Sequence, residues 1–559
     1  DGSLVLLFNG EIYNYQELRE ELIKAGHAFT TKTDSETILH GYEEYGKKIL
    51  DRLRGMFAFI IWNKNTKELF GARDIFGIKP FYYYKKGKEF MFGSEIKSFL
   101  SHPNFEKELD EDMIPLYLSY EYSPDERTIF KNVFKLPGAH CFTYKNGELK
   151  VERYYKIEYK IEDDKSLEYW EDAITKEFTE SVSMHQIADV EVGCFLSSGV
   201  DSSYVSTYFP GQKAFTVGFD FGEKYNEIDF AKRTADIVGL DHHYKVISSD
   251  EFWGNIKNVQ YHMDQPLADP SCIALYFVSK IASEHVKVVL SGEGADELFG
   301  GYDVYNEPLV FKNYRKLPQG LRTWLKDTAQ KSKKQFKGQG FVTRGELPTN
   351  EYFIGNANMF SYEDKLKLLK NKDCVTRPQS VTAAYYDRVK HLDDCTRMQY
   401  LDINLWMVGD ILLKADRMSM ANSLELRVPF LDKEVFKVAA SLPTHLRVQK
   451  GQKKVALRKA AQRRLPMETA EKKKLGFPVP TRVWLKDKKY YNIVKEAFTS
   501  PIAQKFFHTD ELIDCLDTHY NGLRDYSRRI WTLFIFIVWY EIYFEDGNHE
   551  PGNMPNFSK

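Results

Sequence analysis

Apolar residues follow two rhythms along this chain, and the change comes near residue 160. Before it, short runs at residues 4–8, 56–62, 68–72 and 81–84 are rich in aromatic and β-branched side chains and are punctuated by Gly, Asn and Lys. Runs of that length and make-up predict strands. Residues 17–25 and 35–45 each carry an apolar stripe at helical spacing and predict helices. The first half therefore reads as β-rich with short helices. The run at 4–8 stands so close to residue 1 that the chain begins as though in mid-domain. An ordinary edge strand fits the same residues.

A stretch full of Glu, Asp and Lys, residues 157–166, reads as a link. From about 167 strand-like runs at 190–196, 214–219, 244–247 and 286–290 alternate with helical segments. That alternation predicts a doubly wound parallel sheet. Beyond about 305 the pattern is mostly helical, with a Lys- and Gln-rich stretch at 326–340. The most apolar run, 530–540, is too short to span a bilayer and is followed by Glu541, so it predicts a buried helix. The fold expected is a two-domain one, α+β then α/β with a helical C-terminal part. Its domains are 1–156 and 167–545, with a tail at 546–559. A length of 559 residues also exceeds what one core serves.

Composition adds exclusions. Lys+Arg number 78 against Asp+Glu 80, so the basic excess of a nucleic-acid or membrane-surface binder is missing. The cysteines (Cys141, Cys194, Cys272, Cys374, Cys395, Cys515) form no CxxC pair and no zinc spacing, which fits reduced thiols in a cytoplasmic protein. The first residues have no basic n-region, and no signal peptide is expected.

The segment after the run at 190–196 carries the first candidate chemistry. Ser197, Ser198, Gly199, Asp201, Ser202 and Ser203 follow a buried strand, and ligands of open parallel sheets bind at carboxyl strand ends. Small residues let backbone N–H groups form an anion nest, and the next helix presents its positive N-terminus. Asp201 would repel a phosphate unless it holds a cation, which points to Mg²⁺. A plain Ser-rich strand-to-helix turn with Asp201 near the N-cap fits as well. No Gly-Lys-Ser/Thr follows, so this is not a Walker A loop.

A second loop follows the run at 286–290. Ser291, Gly292, Glu293, Gly294, Asp296 and Glu297 bring glycines and crowded carboxylates together. Unpaired carboxylates repel, and a metal or cationic partner relieves this. A solvated acidic loop is the other reading.

SSGVDSS at 197–203 resembles the pyrophosphate-binding loop of ATP pyrophosphatases, with Ser198 where that group mostly has Gly. SGEGADE at 291–297 resembles a motif of glutamine-dependent asparagine synthetases. The segments 412–421 and 424–432 are similar to two further signatures of that family, and the resemblance runs to about residue 545. It implies ATP and Mg²⁺ as cofactors, with Asp201 and Asp296 holding the metal. Leu196, Val217, Ser291 and Gly292 match positions that line the adenylate pocket. Glu293 would take a proton from ammonia or orient the acceptor. Lys474, in a Lys-Leu-Gly-Phe segment, would lie near the phosphates, and Asp269 and Ser271 would contact the acceptor. Taken by themselves, Val217 is equally a core strand residue, Lys474 one of three lysines on a solvated face, and 267–271 a Pro-bounded turn.

FNGEIYN at 8–14 and TDSE at 33–36 resemble class II glutamine amidotransferase motifs. The resemblance implies an αββα Ntn-type sandwich. It places Asn9 and Gly10 in an oxyanion hole, with Glu11 and Asp34 as further glutamine-binding residues. In isolation Asn9-Gly10 reads as a hairpin turn. That family uses an N-terminal Cys whose own α-amine is the base, and it carries strands upstream of Asn9. Residue 1 here is Asp, and the first cysteine is Cys141. The expectation is therefore an incomplete sandwich in an N-terminally truncated chain. Such a chain would use free ammonia and have an aggregation-prone strand edge.

The activity implied is ATP-dependent synthesis of asparagine through a β-aspartyl adenylate. The partners implied are small-molecule substrates, no nucleic acid, no membrane, and a second copy in a homodimer. Amidation of another carboxylate, such as one in a peptidoglycan precursor, uses the same machinery. A β-lactam-forming relative fits less well, because Asn9 and Asp34 are present. A non-catalytic nucleotide-binding paralogue is the reading from another class.

Overall fold

The strand Leu4–Ile12 runs antiparallel to Gly55–Asn63, with Phe8 opposite Phe59 and Gly10 opposite Phe57. The computed structural model describes residues 2–331, 336, 338–449, 451–473, 476 and 478–545. Glu68–Arg73, His140–Lys145 and Glu148–Arg153 extend this pair into a five-stranded antiparallel sheet. Leu4–Ile12 forms one edge of it, with Val5 and Leu7 exposed.

Successive side chains of a strand face opposite sides, and here both sides are covered. Phe57, Phe59 and Ile61 pack with Leu18 and Ile38 of the helices Tyr15–Lys24 and Asp34–Tyr45. Ala58 and Ile60 pack with Phe81, Tyr83 and Phe134 around a second sheet, made of Glu89–Gly93, Tyr82–Lys86 and Val133–Lys135. Burial on both faces is why residues 56–62 read as a continuous apolar run. Tyr82 and Tyr84 point the other way, into a larger cluster that reaches Tyr543. The layers are helix, sheet, sheet, and then elements of the second half.

The second half is built on a five-stranded parallel sheet. Its spatial order is Asp241–Ile247, Lys213–Phe219, Val192–Phe195, Val288–Leu290 and Glu425–Arg427. The chain lays down the central strand first, adds two on one side, and then crosses to the other. That reversal makes a topological switch point between Val192–Phe195 and Val288–Leu290. The fifth strand has three residues, too few to register as a period. The strand expected at 244–247 begins three residues earlier, its outer edge alternating with solvent.

The run at 530–540 is buried throughout in the helix Ser527–Tyr540, as expected. Residues 157–166 take no regular structure over their first part, where the Lys160 and Glu162 N–H groups donate to the carbonyls of Ala440 and Ser441. The tail at 546–559 lies outside the described residues. Among those described, no helix is long and apolar enough to cross a membrane.

Candidate active site

After Phe195 the chain turns through Leu196, Ser197, Ser198 and Gly199 into the helix Val200–Ser206. After Leu290 it turns through Ser291–Gly294 into Ala295–Phe299. These turns flank the switch point and touch. A Cβ on Gly292 would stand 2.8 Å from the Ser202 nitrogen and 2.9 Å from the Asp201 Cβ, so only glycine lets the loops meet. Within the first loop the Ser202 hydroxyl accepts from the Ser197 N–H at 3.0 Å, and the Gly199 N–H donates to the Ser197 hydroxyl at 3.1 Å.

A cavity of about 320 Å³ opens between the loops. Leu196, Ser197, Ser198, Gly199, Asp201 and Ser202 line it from the first loop, and Ser291, Gly292, Glu293 and Asp296 from the second. Val217, Asp269 and Ser271 complete the wall. Ser203 does not reach it; one step further round the helix, it is fully buried. Lys474 lies outside the described residues, although Gly476 lines the cavity.

Two lysines that the sequence reading had not assigned a role carry the positive charge. Lys454 Nζ lies 2.6 Å from Asp201 Oδ2 and 2.7 Å from Asp296 Oδ1, fully buried. Its backbone is left-handed, φ 55° and ψ 41°, a conformation costing a non-glycine residue roughly 1 kcal/mol. No periodicity marks it, because it sits between the turn at Gly451 and the helix Val455–Gln462. Asp201 Oδ1 is buried and accepts no hydrogen bond among the described residues. An unengaged carboxylate oxygen beside a second carboxylate is a donor set that suits Mg²⁺.

Lys414 Nζ lies 2.5 Å from Asp269 and 2.9 Å from Asp410. Burial opposes ionisation of Asp269, but the Lys414 ammonium outweighs it and holds the carboxyl at about 2. Burial pushes Asp410 up to about 8. Asp410 lies in a π-helical turn, Met407–Ile411, directly before the helix Leu412–Met420. Such turns recur at functional sites.

In the first half, Asn9 and Gly10 lie mid-strand and not in a hairpin, paired with Ala58 and Phe57. The tertiary pairing overrides the turn signal of the dipeptide. Gly10 has φ 148°, and a Cβ there would stand 2.0 Å from the Met56 carbonyl oxygen. Asn9 Nδ2 donates to the Ser94 hydroxyl at 3.1 Å. Asp34 Oδ2 accepts the Ile12 N–H at 3.0 Å, and burial raises its pKa. Burial also pushes Glu11 up to about 7, opposed by Arg427, 3.4 Å away and from the second half. The thiol of Cys141 is buried and pushed up to about 11 by that burial, which makes it a poor nucleophile.

Known proteins give the same division of labour. An asparagine synthase family model matches residues 173–541, and a glutamine amidotransferase domain model matches residues 1–155. The glutamine-hydrolyzing asparagine synthetase 1 of Bacillus subtilis is 43% identical over 98% of this chain and 86% of its own. A putative glutamine-hydrolyzing asparagine synthetase of Mycobacterium tuberculosis is 39% identical over 97% of this chain and 85% of its own. The amidase chry2 of Gibberella zeae is 26% identical over 96% and 86%. The expected N-terminal truncation gains no support from matches of this span. By both extent and identity, the chain belongs to the asparagine synthase family.

Proposed function

We propose that this protein makes asparagine from aspartate and ATP through a β-aspartyl adenylate. AMP and pyrophosphate are released, and ammonia supplies the nitrogen. The observation that carries this reading is the Lys454 ammonium set between Asp201 and Asp296, two carboxylates that line the switch-point cavity. The aspartate side-chain carboxylate attacks the α-phosphorus, and negative charge grows on the departing pyrophosphate. A buried cation beside the 197–202 loop would stabilise that charge. Asp201 and Asp296 would hold Mg²⁺, which when bound screens the phosphate oxygens. Ammonia then attacks the acyl carbon and AMP leaves. Glu293, at the cavity wall, takes the proton that the attacking nitrogen loses. Lys414 and Asp269 orient the acceptor, with Ser271 beside them. Leu196, Val217, Ser291 and Gly292 hold the adenine nucleotide.

In relatives named glutamine-hydrolyzing the ammonia comes from glutamine. Here Asn9, Gly10, Glu11 and Asp34 would bind glutamine in a domain spanning 1–156, and 167–545 would form the synthetase domain. The protein works as a cytoplasmic homodimer, following the family resemblance. The test is aspartate-dependent pyrophosphate release from Mg-ATP, with ammonium and then with glutamine. Aspartate-dependent release with asparagine formation supports the reading. No release with aspartate, while another carboxylate supports it, moves the acceptor to that compound.

A further inference from the structure

A cluster outside both substrate sites has the geometry of a metal centre. The helix Tyr15–Lys24 ends at a turn, and His27 follows it. Glu36, His40, Glu43 and Glu44 lie on the helix Asp34–Tyr45 at spacings that put them on one face. His27 Nδ1 and His40 Nδ1 stand 3.2 Å apart. Glu43 Oε2 lies 2.9 Å from the second and 3.7 Å from the first. Zinc bonds of about 2.0–2.1 Å in a tetrahedron give edges of about 3.3 Å. The three sides of this triangle bracket that length.

The outer contacts decide what lies inside the triangle. His27 Nε2 faces Glu44 Oε2 at 3.0 Å, and His40 Nε2 faces Glu36 Oε1 at 3.6 Å. An ionised carboxylate only accepts, so a His27 ring that donates from Nε2 to Glu44 turns its Nδ1 lone pair toward His40 and Glu43. The Nδ1 atoms of both rings and Glu43 Oε2 converge on one point from three sides. A divalent cation at that point would be bound by all three atoms at once. A carboxylate behind a ligating imidazole is the usual outer shell of such sites. Glu36 is itself anchored by the N–H groups of Thr30 and Thr31, at 2.8 and 2.6 Å.

We propose that His27, His40 and Glu43 bind a zinc-class divalent transition ion, with a fourth position open to water. Two imidazoles and a carboxylate suit that class and not Mg²⁺. The ion would tie the segment leading into Asp34 to the helix that Asp34 begins, so the site braces a residue of the glutamine half without touching glutamine.

The test uses the full chain, stripped with EDTA and desalted, with no nucleotide present. Zn²⁺ titration should show one saturable equivalent, and Co²⁺ should give the visible bands of a four-coordinate ion. The double variant His27→Gln/His40→Gln should lose both, and Glu36→Gln should weaken binding about 10–100-fold. Zinc should raise the melting temperature of the parent but not of the double variant. Equal metal-free melting temperatures would show that the variant folds. Failure of the parent to bind zinc, or undiminished binding in the double variant, overturns the assignment.

Discussion

Lys454 is the residue on which the synthetase chemistry turns. Removing it takes away the cation that lies between two buried carboxylates, which is costly for the fold as well as for the reaction. Lys454→Ala should cut aspartate-dependent pyrophosphate release by about 10²-fold or more, the scale of losing one charge-stabilising donor. It should also lower the melting temperature, and Mg-ATP should restore much of that loss by recharging the site. A lowered melting temperature with turnover intact would sink the role. At this scale the sequence was readable wherever the residue type itself is chemical. Asp201, Glu293 and Asp296 announce themselves by crowding carboxylates beside glycines and serines. Lys454 was not readable, because a lone lysine after a turn resembles any surface lysine until the fold buries it.

The elements that matter are the two loops at the switch point, held in contact by Gly292. Gly292→Ala pushes a methyl into the Ser202 nitrogen and the Asp201 Cβ, so one loop must move. Because those groups line the cavity, the expected outcome is weaker ATP binding, with KM up roughly 10-fold, about 1.4 kcal/mol. The melting temperature should fall as well, because the methyl meets backbone and not a flexible side chain. An unchanged KM for ATP would show that the loops part without disturbing the nucleotide. Element existence was legible for the long strands and for the helix at 530–540. The three-residue strand Glu425–Arg427 and the π-helical turn at Met407–Ile411 were not, since neither extends over a full period. Asn9-Gly10 misled in isolation, because a dipeptide cannot show that Ala58 and Phe57 will pair with it.

At the scale of the whole molecule, the halves are joined by buried charge. Arg417 bonds Asp264 at 3.0 Å and Glu95 at 2.9 Å, while Lys97 reaches the same Asp264 at 3.0 Å. Arg54 meets Asp432, and Lys79 meets Asp416, each at 3.0 Å. No pattern within either half foretells these pairs, because the partners lie more than 150 residues apart. Arg417→Ala strands a fully buried carboxylate with a single cation, a change worth about 3–5 kcal/mol. Its melting temperature should fall well below that of the parent in calorimetry; a shift of less than a degree would mean that Lys97 alone suffices. The apolar interior repeats the theme, since one cluster runs from Tyr13 through the parallel sheet to Tyr543. Matches to two separate family models suggest modules that could melt one after the other. An interior shared in this way implies the opposite: neither half can lose its packing without exposing the other's, so heat should take the chain apart in one cooperative event.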